Sequence, residues 1–135
     1  MINLHDIRYV RLGTQNLDQA VRYAIDILGL QEIRRRGNAV YFRSDSRDHT
    51  LVYFDGAVDD HTTGFELKTY AELVAAKELL SDAGRPVRWG TDAECDDRFV
   101  RAFVQFTDTT GNVIDLVWRP MHSGWRYFPS RDAGI

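Results

Sequence analysis

Two stretches of this chain carry the same plan, and that duplication constrains the fold more than any other feature. Ile7–Leu28, IRYVRLGTQNLDQAVRYAIDIL, reads as a strand, a capped turn and an amphipathic helix closed by Gly29. Val10 and Leu12 alternate with Ile7, Tyr9 and Arg11, as in a half-buried strand. Asn16 is a good N-cap, and Gln19 stands where it completes a capping box. Leu17, Ala20, Val21, Ala24, Ile25 and Leu28 then recur at helical spacing. A weaker copy begins near His61. Thr62–Lys68 alternates with Thr63, Phe65 and Leu67 on one face, Thr69 and Glu72 form a second capping box, and Leu73, Ala76, Leu80 and Ala83 make a stripe ending at Gly84. The caps Asn16 and Thr69 and the glycines Gly29 and Gly84 repeat with a period of about 53 residues.

Three strand-like runs follow each copy: Leu30–Arg35, Ala39–Arg43 and Thr50–Phe54, then Val87–Trp89, Arg101–Thr107 and Asn112–Trp118. The predicted fold is therefore α+β. Two tandem βαβββ units, about 5–56 and 61–119, make one module over 1–119, an open, cup-shaped mixed sheet of about eight strands with two helices on its outer face. Residues 120–135 read as a linker-like tail whose Trp125, Tyr127 and Phe128 need a surface to pack on. The polar run 90–99 reads as a solvated loop.

Alternation assigns the residues that face into the cup. They are Tyr9 and Arg11 from the first strand, Thr62, Gly64 and Glu66 from the fifth, and Phe103, Gln105, Val113, Asp115 and Val117 from the last two. Polar groups converging in an apolar cleft describe a ligand site, here Tyr9, Arg11, Glu66, Phe103, Gln105 and Asp115. A bland reading stands beside it, in which Arg11 simply pairs with Glu66 or Asp115. His5, His49 and His122 show no partner spacing and read as surface residues, and His61 points to the other sheet face.

The run Val10–Leu30, with N-L-D-Q-A-V-R-Y…L-G-L, and the ending Asp108-Thr-Thr-Gly111-Asn-Val-Ile-Asp115-Leu resemble the opening and closing segments of the vicinal oxygen chelate superfamily. That superfamily includes glyoxalase I, bleomycin-resistance proteins and type I extradiol dioxygenases, and its fold is the paired βαβββ arrangement. The resemblance implies metal-ligand positions at Tyr9, Thr62 and Asp115. Tyr and Thr hydroxyls are poor ligands at neutral pH, and one aspartate does not hold a divalent transition metal, so the positions read as vestigial and no metal is expected here. A Tyr at the first position and the tail from Arg119 to Ile135 resemble the metal-free N-terminal module of a two-module extradiol dioxygenase, whose second module carries Fe(II) and cleaves a catechol beside its diol.

The expected role is thus that non-metal-binding module, catalytically inactive by itself. Its partner would be a metal-bearing module or another copy of the chain, and a homo-oligomer, a dimer in particular, is expected. The first alternative is a stand-alone, dimeric, metal-free binding protein of the bleomycin-resistance type that traps a small aromatic ligand. The second is a glyoxalase-like metal enzyme with ligands drawn from His5, His61, Glu66 and Asp115. A formal charge of −3 gives no electrostatic case for nucleic acid or an anionic membrane. The single cysteine suits a reducing cytosol, and the sequence shows no membrane-length apolar run or signal-peptide layout. A cytoplasmic location follows as an expectation.

Overall fold

The computed structural model describes residues 1–2, 4–45 and 48–120. Reading the tail as a linker concerns residues almost all outside that range. The chain runs β1 (Asp6–Thr14), α1 (Leu17–Asp26), β2 (Gln31–Arg36), β3 (Ala39–Arg43), β4 (Leu51–Asp55), β5 (His61–Leu67), α2 (Tyr70–Asp82), β6 (Val87–Trp89), α3 (Asp92–Arg98), β7 (Val100–Thr107) and β8 (Val113–Pro120). The strands form one mixed sheet in the order β2-β3-β4-β1-β5-β8-β7-β6. β1 lies parallel to β4, β5 lies parallel to β8, and the two halves meet along the antiparallel pair β1–β5. The second half therefore repeats the first in reverse across that seam.

Local chemistry sets the helix ends. Asn16 Oδ1 accepts from the Gln19 N–H at 3.1 Å, and Thr69 Oγ1 accepts from the Glu72 N–H at 3.0 Å, each satisfying a backbone donor that the helix leaves open. Gly84, at φ 81, closes α2 in a Schellman motif: its N–H donates to Ser81 O, and the Arg85 N–H donates to Leu80 O. On the outer face, Val21 and Ala24 of α1 pack on Val40 and Phe42, while Leu73 and Ala76 of α2 pack on Leu67, Val104 and Leu116.

The inner face departs from expectation. Run 90–99 is not an irregular solvated loop. It folds as a third helix, α3, which lies against the face opposite α1 and α2. Thr91 and Glu94 cap it reciprocally: Thr91 Oγ1 accepts from the Glu94 N–H, and Glu94 Oε1 accepts from the Thr91 N–H. Cys95 then packs with Tyr9, Val100, Phe103 and Val117, and Phe99, at φ 58, joins Ala39, Tyr41 and Val52 of the first half. α3 belongs to the second unit in sequence but bridges both units in space. Among the described residues, no helix is long and apolar enough to cross a membrane.

Candidate functional site

The site is built from the seam outward. β1 carries a bulge between Ile7 and Tyr9, where Ile7 opposes Phe65, Tyr9 opposes Gly64, and Arg8 is the extra residue. Bulges re-aim side chains. Here the bulge delivers Arg8 to Glu66 as an ion pair and leaves Ile7 52% exposed, so the simple alternation of β1 fails at this point. Tyr9 fits because its cross-strand neighbour has no side chain. A Cβ on Gly64 would lie 2.5 Å from the Tyr9 ring.

Asp115 of β8, at 0% exposure, is the centre of the second half. Its Oδ2 accepts from Tyr9 Oη at 2.6 Å and from Arg98 Nε at 2.6 Å, and its Oδ1 accepts from Gln105 Nε2 at 3.0 Å. Gln105 Oε1 in turn accepts from Arg88 Nη2, and Arg88 donates both terminal nitrogens to the Glu94 carboxylate. The network thus leaves α3 at Arg98 and returns to it at Glu94. The Arg98 guanidinium also stands over the Phe103 ring at 4.5 Å. Burial, then the Asp115 carboxylate, push the Tyr9 phenol well above its ordinary pKa, so Tyr9 stays protonated and donates. Burial works against the Arg98 charge, and the Asp115 carboxylate bonded to it outweighs that, holding the guanidinium above its ordinary value.

A second polar centre occupies the first half. Arg34 donates to both oxygens of Asp48 at 2.7 and 3.0 Å, and Asp48 Oδ2 contacts His49 Nδ1 at 2.9 Å. His49 is only 4% exposed, which corrects its reading as a surface residue. Its ring stacks on Tyr9 at 5.4 Å and meets Tyr41 edge-on at 5.1 Å and Phe99 at 6.1 Å. Burial lowers its pKa, Arg11 and Arg34 add to that, and Asp48 opposes them. In the neutral ring, Nδ1–H donates to Asp48, which leaves the Nε2 lone pair facing inward. Among the described residues, neither His49 Nε2 nor Arg11 Nη1, both buried, has a hydrogen-bond partner. α3 seals this half as well: Tyr41 Oη donates to Asp97 O at 2.6 Å, and Arg36 pairs with Asp97 at the rim.

Of the six residues expected in the cup, Tyr9, Gln105 and Asp115 meet in one network, with Phe103 beneath it. Arg11 and Glu66 do not pair with each other. Glu66 takes Arg8, and Arg11 lies over the Phe54 ring at 5.8 Å. Sequence reasoning missed Arg98, Arg34, Asp48 and Tyr41. For Arg98 a signal existed, since T-D-A-E at 91–94 is a capping-box pattern that starts a helix. The space left among Arg8, Tyr9, Asp48, His49, Arg98, Phe99 and Pro120 is about 10 Å³, room for about one water.

The donor set does not fit a divalent metal. At the three positions named by the resemblance, Tyr9 keeps its proton and spends it on Asp115, Thr62 offers a neutral hydroxyl, and Asp115 already neutralises a guanidinium. Among the described residues, no three His, Cys, Asp or Glu side chains gather as a metal site, and His5, His61, Glu66 and Asp115 do not form one.

Comparison with known proteins places this geometry in context. The profile of the Glyoxalase/Bleomycin resistance protein/Dioxygenase superfamily matches residues 6–116. An iron-dependent extradiol dioxygenase of Rhodococcus jostii (strain RHA1) is 28% identical over 116 residues, which are 84% of this chain and 39% of that protein. A 1,2-dihydroxynaphthalene dioxygenase of Sphingobium xenophagum is 26% identical over 122 residues, covering 89% of this chain and 41% of the relative. A crystal structure of catechol 2,3-dioxygenase superposes with a TM-score of 0.83 at 27% identity, over 91% of this chain and 44% of that one. The chain thus spans about two fifths of the length of the curated relatives it matches.

Proposed function

The chain belongs to the Glyoxalase/Bleomycin resistance protein/Dioxygenase superfamily, and we propose that it acts as the metal-free N-terminal module of an extradiol dioxygenase for catechol-type aromatics. Its relatives are extradiol dioxygenases, and it matches about two fifths of their length. The observation that carries the reading is the closed inner face. Where the resemblance puts metal ligands, a protonated Tyr9 and the Arg98 guanidinium are bonded to Asp115, and only about 10 Å³ is left beside them among Arg8, Asp48, His49, Phe99 and Pro120. In this role the module supplies packing surface and oligomer contacts in the cytosol. On this reading Fe(II) sits in a second module; the Rhodococcus jostii relative is an iron-dependent extradiol dioxygenase.

The test is direct. The purified chain, equilibrated anaerobically with Fe(II) and then given a catechol and O2, is expected to retain no stoichiometric iron and to form no ring-opened product. The same chain joined to an iron-bearing module is expected to yield product. Tight iron binding and ring opening by the isolated chain would overturn the proposal.

A further inference from the structure

We propose that Asp115, Tyr9 and Gln105 form a socket for a planar organic cation, and that the chain fills this socket with its own Arg98, so that α3 is a tethered lid. The socket has the features of a built recognition site. A carboxylate with no exposure lies on the sheet floor, with one oxygen held by Gln105 and the other by Tyr9. Beside it the Phe103 ring presents its face 4.5 Å from the guanidinium carbon. A carboxylate edge together with an aromatic face suits a flat, delocalised, weakly hydrated cation better than a compact ammonium. A hard divalent ion is disfavoured by the same contacts, because Tyr9 and Gln105 aim N–H and O–H donors at the carboxylate.

The cation arrives on a separate element. Arg98 is the last residue of a seven-residue helix. Two further ties of that helix, Arg88–Glu94 and Arg36–Asp97, are ion pairs at the exposed rim, a type that contributes little. With the Tyr41 Oη–Asp97 O hydrogen bond, Arg98 is one of two less exposed polar ties that seat α3 and the one that brings a charge inward, and Cys95, one turn earlier and 4% exposed, lies on the seated side. This inference goes beyond the proposed function and stands independently of whether a second module exists.

The experiment uses Arg98→Ala with ethylguanidinium as the probe, because ethylguanidinium replaces the atoms that the substitution removes. The chain's only cysteine supplies the readout. R98A is expected to melt roughly 10 °C or more below the parent, and its Cys95 to be alkylated at least roughly tenfold faster as the lid lifts. Tens of millimolar ethylguanidinium should raise the melting temperature of R98A and slow that alkylation, relative to tetramethylammonium at equal ionic strength. It should do neither in the parent or in R98A combined with Asp115→Asn. Equal effects of the two cations on R98A would overturn the socket. If R98A does not fold in any solution, Arg98→Met decides, since Met fills volume without charge. Cys95 as protected in R98M as in the parent would show that α3 needs bulk and no cation, whereas fast alkylation there supports the socket.

Discussion

The two halves of the inner face solve one problem differently. Each buries an aspartate against an arginine, Asp115 with Arg98 in the second half and Asp48 with Arg34 in the first. Around Asp115 the carboxylate oxygens are bonded to Tyr9, Arg98 and Gln105, and both members of the ion pair are nearly or fully shut from water. Around Asp48 the arginine keeps a quarter of its side-chain surface exposed, and among the described residues two buried nitrogens, His49 Nε2 and Arg11 Nη1, go without hydrogen bonds. The first arrangement is rigid and all-or-none. The second tolerates change, because water reaches Arg34. A duplicated fold has thus put its strict polar centre in one copy and its permissive one in the other.

The strongest way to break that contrast is to remove each acid. Asp115→Ala strands a buried guanidinium and is expected to cost about 3–5 kcal/mol. Asp48→Ala should cost at most about half as much, since Arg34 can turn to solvent. Urea unfolding of the two variants measures the difference, and equal losses would erase the distinction. Next in size is Gly64→Ala, whose Cβ would press into the Tyr9 ring at 2.5 Å. Overpacking of this kind costs about 1–3 kcal/mol. Pairing it with Tyr9→Phe, which keeps the ring, should bring no relief.

A pH scan sharpens the other side. Burial depresses the folded-state pKa of His49 below its ordinary 6.5, so the unfolded chain takes up the proton more readily. Stability is then fully present above about pH 6.5 and declines as pH falls below it, by at most about 1.4 kcal/mol per pH unit. Melting temperatures between neutrality and mildly acidic pH should show this slope in the parent and lose it in His49→Gln. Asp48 is also held below its ordinary value. Burial alone would raise it, but the hydrogen bonds from His49 and Arg34 prevail, so its loss comes only in stronger acid and the two windows separate. The smallest effect belongs to Arg36→Ala. Its pair with Asp97 is about half exposed on both sides, and removing it should change stability by no more than about 0.5 kcal/mol, vanishing in high salt.

The halves also differed in how far the sequence disclosed them. Tyr9, Gln105 and Asp115 were legible because each sits on a strand whose alternation is anchored nearby, by the Asn16 cap or the Gly111 turn. The sheet and its two outer helices were legible for the same reason, since caps and apolar spacing agreed. The His49 centre was not. Asp48 and His49 lie in a polar connection between β3 and β4, where no periodicity says which side chain turns inward. The bulge at Arg8 hid for a related reason: one extra residue redirects side chains without changing the composition of the strand. α3 was short enough that its capping box passed for loop polarity.

The Tyr9–Asp115 hydrogen bond has a consequence for the chain during its synthesis. Its two ends are 106 positions apart. At synthesis rates of roughly 5–20 residues per second, roughly 5–20 seconds separate the emergence of the donor from that of its acceptor. For about the first half of that interval β1 has no β5 beside it, and throughout it the Tyr9 hydroxyl lacks the β8 carboxylate that accepts its proton. The first unit is therefore a waiting structure, and the Tyr9 hydroxyl meets its buried acceptor only when β8 leaves the ribosome.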